Sequence, residues 1–349
     1  MEASQILDFS SSINPLGPPS SAHRAFRKSF GELPCYPDSD ARELRENLAR
    51  LLGLKPQEVF LGNGSTQLIY LLCRALRPRN ALVVHPAFSE YTNALMLAGS
   101  EIYSYILSVN ENFKFSLSKF RAALKENPDI VFVSNPNSVT GRTIPRGEME
   151  KITWMAHKKK TLLVIDEAFM DFMEGNSVKD RLRENPYLIV LRSPTKYYAL
   201  PGLRLGYLLA QKQTVDRLCL HQEPWSVNTP AQRVFFACLN DESFRRKTKR
   251  WLEREREFLL KSLSFIQGLR PYPSQANFLL VRLEQGDALG LRALLLKKRI
   301  LIRACDSFAG LGVHYFRVAI RLRKENIRLL KALEEIMGKR PYSRAPDAL

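Results

Sequence analysis

Apolar runs rich in β-branched residues recur along the first two-thirds of the chain, and stretches with helical periodicity separate them. EVFLGNG (58–64), NALVVHP (80–86), EIYSYIL (101–107), DIVFVSNP (129–136), TLLVIDEAF (161–169), YLIVLRSP (187–194) and RLGYLLA (204–210) read as seven strands. Several are apolar at successive positions without alternation, the pattern of strands covered by helices on both faces. Helical patterns such as DARELRENLARLLGL before the first strand and STQLIYLLCRAL after it supply that cover. The order predicts an α/β fold with a mostly parallel, seven-stranded sheet, whose ligand sits at the carboxyl ends of the strands.

Beyond about residue 235 the pattern changes. A long charged helix leads into ANFLLVRL (276–283), a helix, RILIRAC (299–305), YFRVAIRL (315–322) and a last helix, KENIRLLKALEEIMG. This reads as a smaller α+β domain spanning 236–338, set against a large domain over 36–235. Residues 1–35, rich in Ser, Pro and Gly, read as an extended N-terminal arm, and KRPYSRAPDAL (339–349) as a frayed tail.

Composition narrows the class. No apolar stretch approaches the ~20 residues that a bilayer span needs. The opening MEASQILDFSSSINPLGPP lacks the basic-then-apolar layout of a secretion signal, so a cytoplasmic protein without membrane contact is expected. The five cysteines are scattered and free of CxxC spacing, and the five histidines form no cluster; reduced thiols and no metal site follow. The formal charge of +18 admits nucleic acid, anionic lipid or acidic small molecules as partners. Much of the excess lies in helical stretches such as SFRRKTKRWLEREREFLLKSL (243–263), interleaved with acids, which reads as a solvated face. No helix-turn-helix, zinc finger or RNA-binding aromatic motif is present, so a nucleic-acid-binding protein on this fold is the weaker class.

Candidate chemistry gathers at the predicted strand ends. GNGST (62–66) precedes a helix, whose free amides would bind an anion; taken alone it reads as a tight turn with an N-cap. It lacks the GxGxxG spacing and acidic clamp of a dinucleotide site. Asp166 ends an apolar run, where ionisation is costly without a cationic partner. RSPTK (192–196) offers Ser193 and Thr195 beside Lys196, and Arg204 lies just beyond. Lys196 by itself reads as a solvated charge. Together, a lysine for covalent attachment, a carboxylate for a pyridine nitrogen and a phosphate cup are what pyridoxal phosphate requires.

The chain resembles the fold-type I pyridoxal-phosphate enzymes of the aminotransferase superfamily over nearly its full length. Within them it looks most like the threonine-phosphate decarboxylases of cobalamin biosynthesis, a sister group of the histidinol-phosphate aminotransferases. DFSSSINPLGPP, LGNGSTQLIY, HPAFSEY, IDEAFMDF, RSPTKYYALPGLRLGYL, EPWSVNTPAQ and RILIRACDSFAGLGVHYFRVAIR carry the likeness. The resemblance implies that Lys196 holds the cofactor covalently, Asp166 pairs with its ring nitrogen and Phe88 stacks on the ring. Gly64, Ser65, Thr66, Ser193 and Arg204 would hold its phosphate, joined by Tyr36 from the partner subunit of a homodimer. Arg317 would meet the substrate carboxylate and Arg303 the substrate phosphate.

One stretch departs from the family. The superfamily usually has PNNPTG, whose second asparagine serves the cofactor 3-oxygen; here PNSVTG (136–141) puts Ser138 at that position. Phe169 stands where the aminotransferases often carry a tyrosine. Asn137 is the remaining candidate to compensate, or to touch the substrate. The implied reaction is decarboxylation of L-threonine O-3-phosphate to (R)-1-amino-2-propanol O-2-phosphate, with L-serine O-phosphate as the nearest substrate variant. Transamination of histidinol phosphate or an aromatic amino acid is the alternative.

Overall fold

The computed structural model describes residues 6–338. The tail reading of 339–349 lies outside the described residues. The strands are β1 (Leu7–Asp8), β2 (Val59–Gly62), β3 (Asn80–His85), β4 (Glu101–Ile106), β5 (Ile130–Ser134), β6 (Leu162–Asp166) and β7 (Leu188–Arg192), followed by β8 (Gly206–Leu209). In the second half come β9 (Leu269–Pro271), β10 (Phe278–Leu283), β11 (Ile300–Leu301), β12 (Arg303–Ala304) and β13 (Tyr315–Ala319).

The large sheet has seven strands in the order β2-β8-β7-β6-β5-β3-β4. Only β8 runs antiparallel to its neighbours, β2 and β7; the other pairings are parallel. The central strands explain why their sequences do not alternate. Val131, Val133, Leu163, Ile165, Leu188 and Val190 enter one apolar cluster, whereas Ile130, Phe132, Val164, Ile189 and Leu191 enter another. Successive side chains point to opposite faces, and both faces are buried. Because β5, β6 and β7 run parallel, Ser134, Asp166 and Arg192 end at one edge of the sheet.

A second, antiparallel sheet has the order β12-β13-β10-β9. Its apolar cluster takes Leu279, Val281, Phe316 and Val318 from the strands, Trp251, Leu259 and Leu263 from helix Glu242–Ser264, and Leu329 and Leu333 from helix Arg323–Met337. The long helix is not solvated throughout. Glu255 is buried and accepts from Arg323 at 3.0 Å and from Asn326 at 3.0 Å.

Two regions differ from the reading of the sequence. The run 299–305 is not one strand: it splits at Ile302, where β11 pairs with β1 and β12 pairs with β13. The segment 1–35 is not extended throughout, since helix Ser20–Ser29 follows Pro19 and buries Ala22 against the core that also holds Ala231 and Val234 of helix Thr229–Leu239. Around β1 the chain does run extended and bridges the two sheets. Phe9 N donates to Leu301 O at 2.7 Å, Ala319 N donates to Phe9 O at 2.8 Å, and Asn14 N donates to Lys196 O at 3.0 Å. Among the described residues no helix is long and apolar enough to cross a membrane.

Candidate active site

A cavity of about 480 Å³ opens at the carboxyl ends of the large-sheet strands, roofed by β12, β13 and residues 10–13. Gly64, Ser65, Thr66, Phe88, Ser138, Asp166, Ser193, Lys196, Arg204, Arg303 and Arg317, all anticipated from the sequence, line it. Two anticipated residues, Tyr36 and Asn137, do not.

The anion end is built by close packing. Helix Gly64–Leu76 begins directly after β2, and no side chain caps its N-terminus. Its first amides are therefore free for an anion. Gly64 has φ +82°, and a Cβ there would lie 2.6 Å from Arg204 Nη2. A Cβ on Gly206 would lie 2.2 Å from Ser65 N, so only glycine lets β8 pass this close to the helix start. Arg204 Nη1 donates to Pro201 O at 3.2 Å, and no carboxylate among the described residues pairs with its guanidinium.

Deeper in, Asp166 Oδ1 accepts from Ala168 N at 2.8 Å and Oδ2 accepts from the Tyr91 hydroxyl. Burial pushes the Asp166 carboxyl upward, opposed by the Tyr91 hydrogen bond and the Lys196 charge. Lys196 Nζ lies 3.3 Å from Ser193 Oγ and 5.1 Å from the Phe169 ring. Burial pushes its ammonium below the usual lysine value; Asp166 opposes this, while Arg317 and Arg204 add to it. Removing a charge from water without a matched partner is what drives each shift.

At the far end, Arg303 and Arg317 face one another across β12 and β13. Arg317 Nη1 donates to Ser138 O at 2.5 Å, and its Cζ stands 4.7 Å from the Phe278 ring. Burial lowers the Arg317 value. Arg303 lies over Phe308 at 5.4 Å. Among the described residues, neither guanidinium has a carboxylate within ion-pair distance. The lining thus holds three guanidinium groups and Lys196 against a single carboxylate, Asp166. Such a cavity is matched to a ligand with several negative charges.

Asn137 requires correction as a substrate contact. It is buried, its Nδ2 donates to Pro86 O at 2.8 Å, and its Oδ1 accepts from Val139 N at 3.0 Å and Thr140 N at 2.8 Å. The amide oxygen shapes its own loop and the nitrogen ties that loop to Pro86. Tyr36 lies outside the cavity of its own chain, 79% exposed and stacked on Trp225 at 4.5 Å. Residues that the sequence did not assign also line the cavity: the serine run Ser10–Ser12, Ile13 and Phe308. The SSS run is an unusual grouping of hydroxyls, and it was the available signal.

Pyridoxal phosphate fits this donor set. Ser138 Oγ is buried without a hydrogen-bond partner beside the cavity, as a hydroxyl reserved for a ligand atom would be. Asp166 is a buried carboxylate that a protonated ring nitrogen would neutralise. Phe88 offers an exposed ring edge-to-face with Tyr91 at 5.9 Å. Residues 4–333 match the family described as aminotransferase class I and II. The chain belongs to that family. A threonine-phosphate decarboxylase from Salmonella typhimurium is 38% identical over 335 residues, covering 95% of this chain and 92% of the relative. The solved histidinol-phosphate aminotransferase of Clostridium acetobutylicum aligns with a TM-score of 0.90 at 31% identity, over 95% of this chain and 99% of that one. The L-threonine-O-3-phosphate decarboxylase of Porphyromonas gingivalis aligns with a TM-score of 0.85 at 26% identity, over 96% and 100%. The fold is that of the fold-type I pyridoxal-phosphate enzymes, and pyridoxal 5'-phosphate is the cofactor that this membership brings.

Proposed function

We propose that the protein decarboxylates L-threonine O-3-phosphate, releasing carbon dioxide and (R)-1-amino-2-propanol O-2-phosphate for the nucleotide loop of cobalamin. The observation that carries this reading is the pair Arg303 and Arg317, two guanidiniums without carboxylate partners among the described residues, in one cavity with Lys196 and Asp166. A substrate with both a phosphate and a carboxylate supplies the two missing anions. The 38% identical relative supports the same choice.

Each residue has a role that its position allows. Gly64, Ser65, Thr66, Ser193 and Arg204 hold the cofactor phosphate, and Asp166 its ring nitrogen. Pyridoxal phosphate, when bound, supplies a protonated ring that accepts the electron pair left when a bond at the amino-acid Cα breaks. Arg317 orients the substrate carboxylate, and orientation selects which bond at Cα breaks. Arg303 holds the substrate phosphate at the rim. Lys196 Nζ, taking up a proton from the incoming substrate ammonium, can deliver the proton that replaces carbon dioxide at Cα.

Transamination is the second reading, favoured by the close likeness in fold to a histidinol-phosphate aminotransferase. Product analysis separates the two. With threonine phosphate, serine phosphate and histidinol phosphate offered in turn, with and without 2-oxoglutarate, we expect carbon dioxide to equal the amine formed from threonine phosphate. Turnover without carbon dioxide that requires 2-oxoglutarate would move the protein to the aminotransferase reading. A methyl group is worth only about 1–3 kcal/mol of discrimination, so serine phosphate should be turned over more slowly rather than refused.

The assembly we propose is a two-fold dimer in the cytoplasm, built from an arm (1–35), a large domain (36–235) and a small domain (236–338). Phe30 at 72%, Leu33 at 50% and Tyr36 at 79% exposure are large apolar side chains of one short segment, and Tyr36 stacks on Trp225; a second copy would cover them. Tyr36 would then reach the neighbour's cofactor phosphate. Sedimentation at working concentration should give the dimer mass, and Tyr36→Ala should loosen cofactor binding. A fully active monomer would remove this assignment.

A further inference from the structure

Asp166 has one side-chain hydrogen-bond partner among the described residues, Tyr91, and the surroundings of that tyrosine are unusually constrained. Tyr91 sits in the first turn of helix Ser89–Leu97, three residues after Phe88. It is fully buried, stacked on Phe132 of β5 at 5.0 Å and edge-to-face with Phe88 at 5.9 Å. An aromatic ring held on both sides has a hydroxyl that points in one direction only. That hydroxyl donates to Asp166 Oδ2, while the Ala168 amide donates to Oδ1 at 2.8 Å. Two donors from different elements, one on each oxygen, fix the plane of the carboxylate and leave lone pairs free on both oxygens. The remaining charged group facing Asp166 is Lys196, from the loop after β7, and Ser134 lies beside the Tyr91 hydroxyl.

We propose that Tyr91 is a positioning residue for Asp166: it orients the carboxylate and keeps it ionised, so that the protonated ring nitrogen of the cofactor meets a fixed anion. This rests on the pyridoxal-phosphate reading of the cavity. A buried carboxylate loses its charged form readily unless donors hold it, and burial does push Asp166 upward. Tyr91 is the first of the groups that oppose that tendency, ahead of the Lys196 charge and the Ala168 amide. It does not line the cavity and acts through Asp166.

The test is a double-mutant cycle on the full-length chain, read by the dissociation constant of pyridoxal phosphate rather than by turnover. Tyr91→Phe removes the hydroxyl and keeps the ring stack, and should weaken binding by about 10- to 100-fold, the loss of a hydrogen bond to a charged group. In an Asp166→Asn background the same substitution should cost less than about twofold, because its effect runs through the carboxylate. Additive losses, or wild-type affinity in Tyr91→Phe, would overturn the proposal. If Tyr91→Phe does not fold, 3-fluorotyrosine at position 91 provides a fluorine resonance. It should move when pyridoxal phosphate binds and stay still in Asp166→Asn; a still resonance in both overturns the proposal. A wild-type chain that takes up no pyridoxal phosphate refutes the cofactor reading instead, which keeps the two failures apart.

Discussion

Lys196→Ala is expected to lower turnover by at least about 10³-fold, since a positioned acid–base group alone contributes 10²–10⁴ and covalent attachment is lost with it. Pyridoxal phosphate should still bind, because the helix start at Gly64 and the Arg204 guanidinium remain when the amine is removed. Borohydride should then fix no cofactor to the chain. The same variant carries a stability signature. The Lys196 ammonium is lowered in the folded protein by burial, so the unfolded chain binds the proton more tightly. The cost of charging it is absent above the ordinary lysine value of about 10.4, grows as the pH falls through the depressed folded value, and is complete below it. Cofactor-free Lys196→Ala should therefore be more stable than the parent near neutral pH, with the difference closing as the pH rises toward the ordinary lysine value. Melting curves at neutral and strongly alkaline pH read this directly. A variant that still fixes cofactor covalently under borohydride and turns over normally would show that the wrong lysine had been chosen.

The second large effect concerns the two unpaired guanidiniums. Arg317→Ala should cost kcat/KM about 10- to 100-fold or more for phosphorylated and unphosphorylated threonine alike, because a charge-assisted contact to the carboxylate common to both is removed. Arg303→Ala should cost threonine phosphate a similar factor and leave unphosphorylated threonine nearly untouched. The contrast follows from position. Arg317 reaches inward, donating to Ser138 O and shielded by Phe278, whereas Arg303 lies exposed over Phe308 at the rim. Comparing the two substrates with each variant checks the division of labour. An Arg303→Ala enzyme equally impaired on both would strip it of the phosphate role.

Much of this site was legible in the chain itself, and for a local reason. Unbroken apolar β-branched runs announce buried strands wherever they occur, and helices between them force a mostly parallel sheet. A parallel sheet brings its strand ends to one edge, so GNGST, Asp166 and RSPTK had to converge once the strands were recognised. The split of 299–305 was not legible, because each half is equally apolar and only the pairing of Ile300 and Leu301 with the arm, against that of Arg303 and Ala304 with β13, divides them.

The identity of hydrogen-bond partners was decided by the tertiary structure alone. Asn137 and Ser138 are adjacent polar residues of similar promise, yet the turn and Pro86 consume the asparagine amide, and the serine hydroxyl is left unpartnered in the cavity wall. Tyr91 reads as one more aromatic on a helix until the fold sets it 75 positions away in sequence, against Asp166. Composition and periodicity report how much surface a segment must hide, which depends on neighbours a few residues off. Which donor meets which acceptor depends on the register and approach of distant elements, and the chain fixes these only once it has folded.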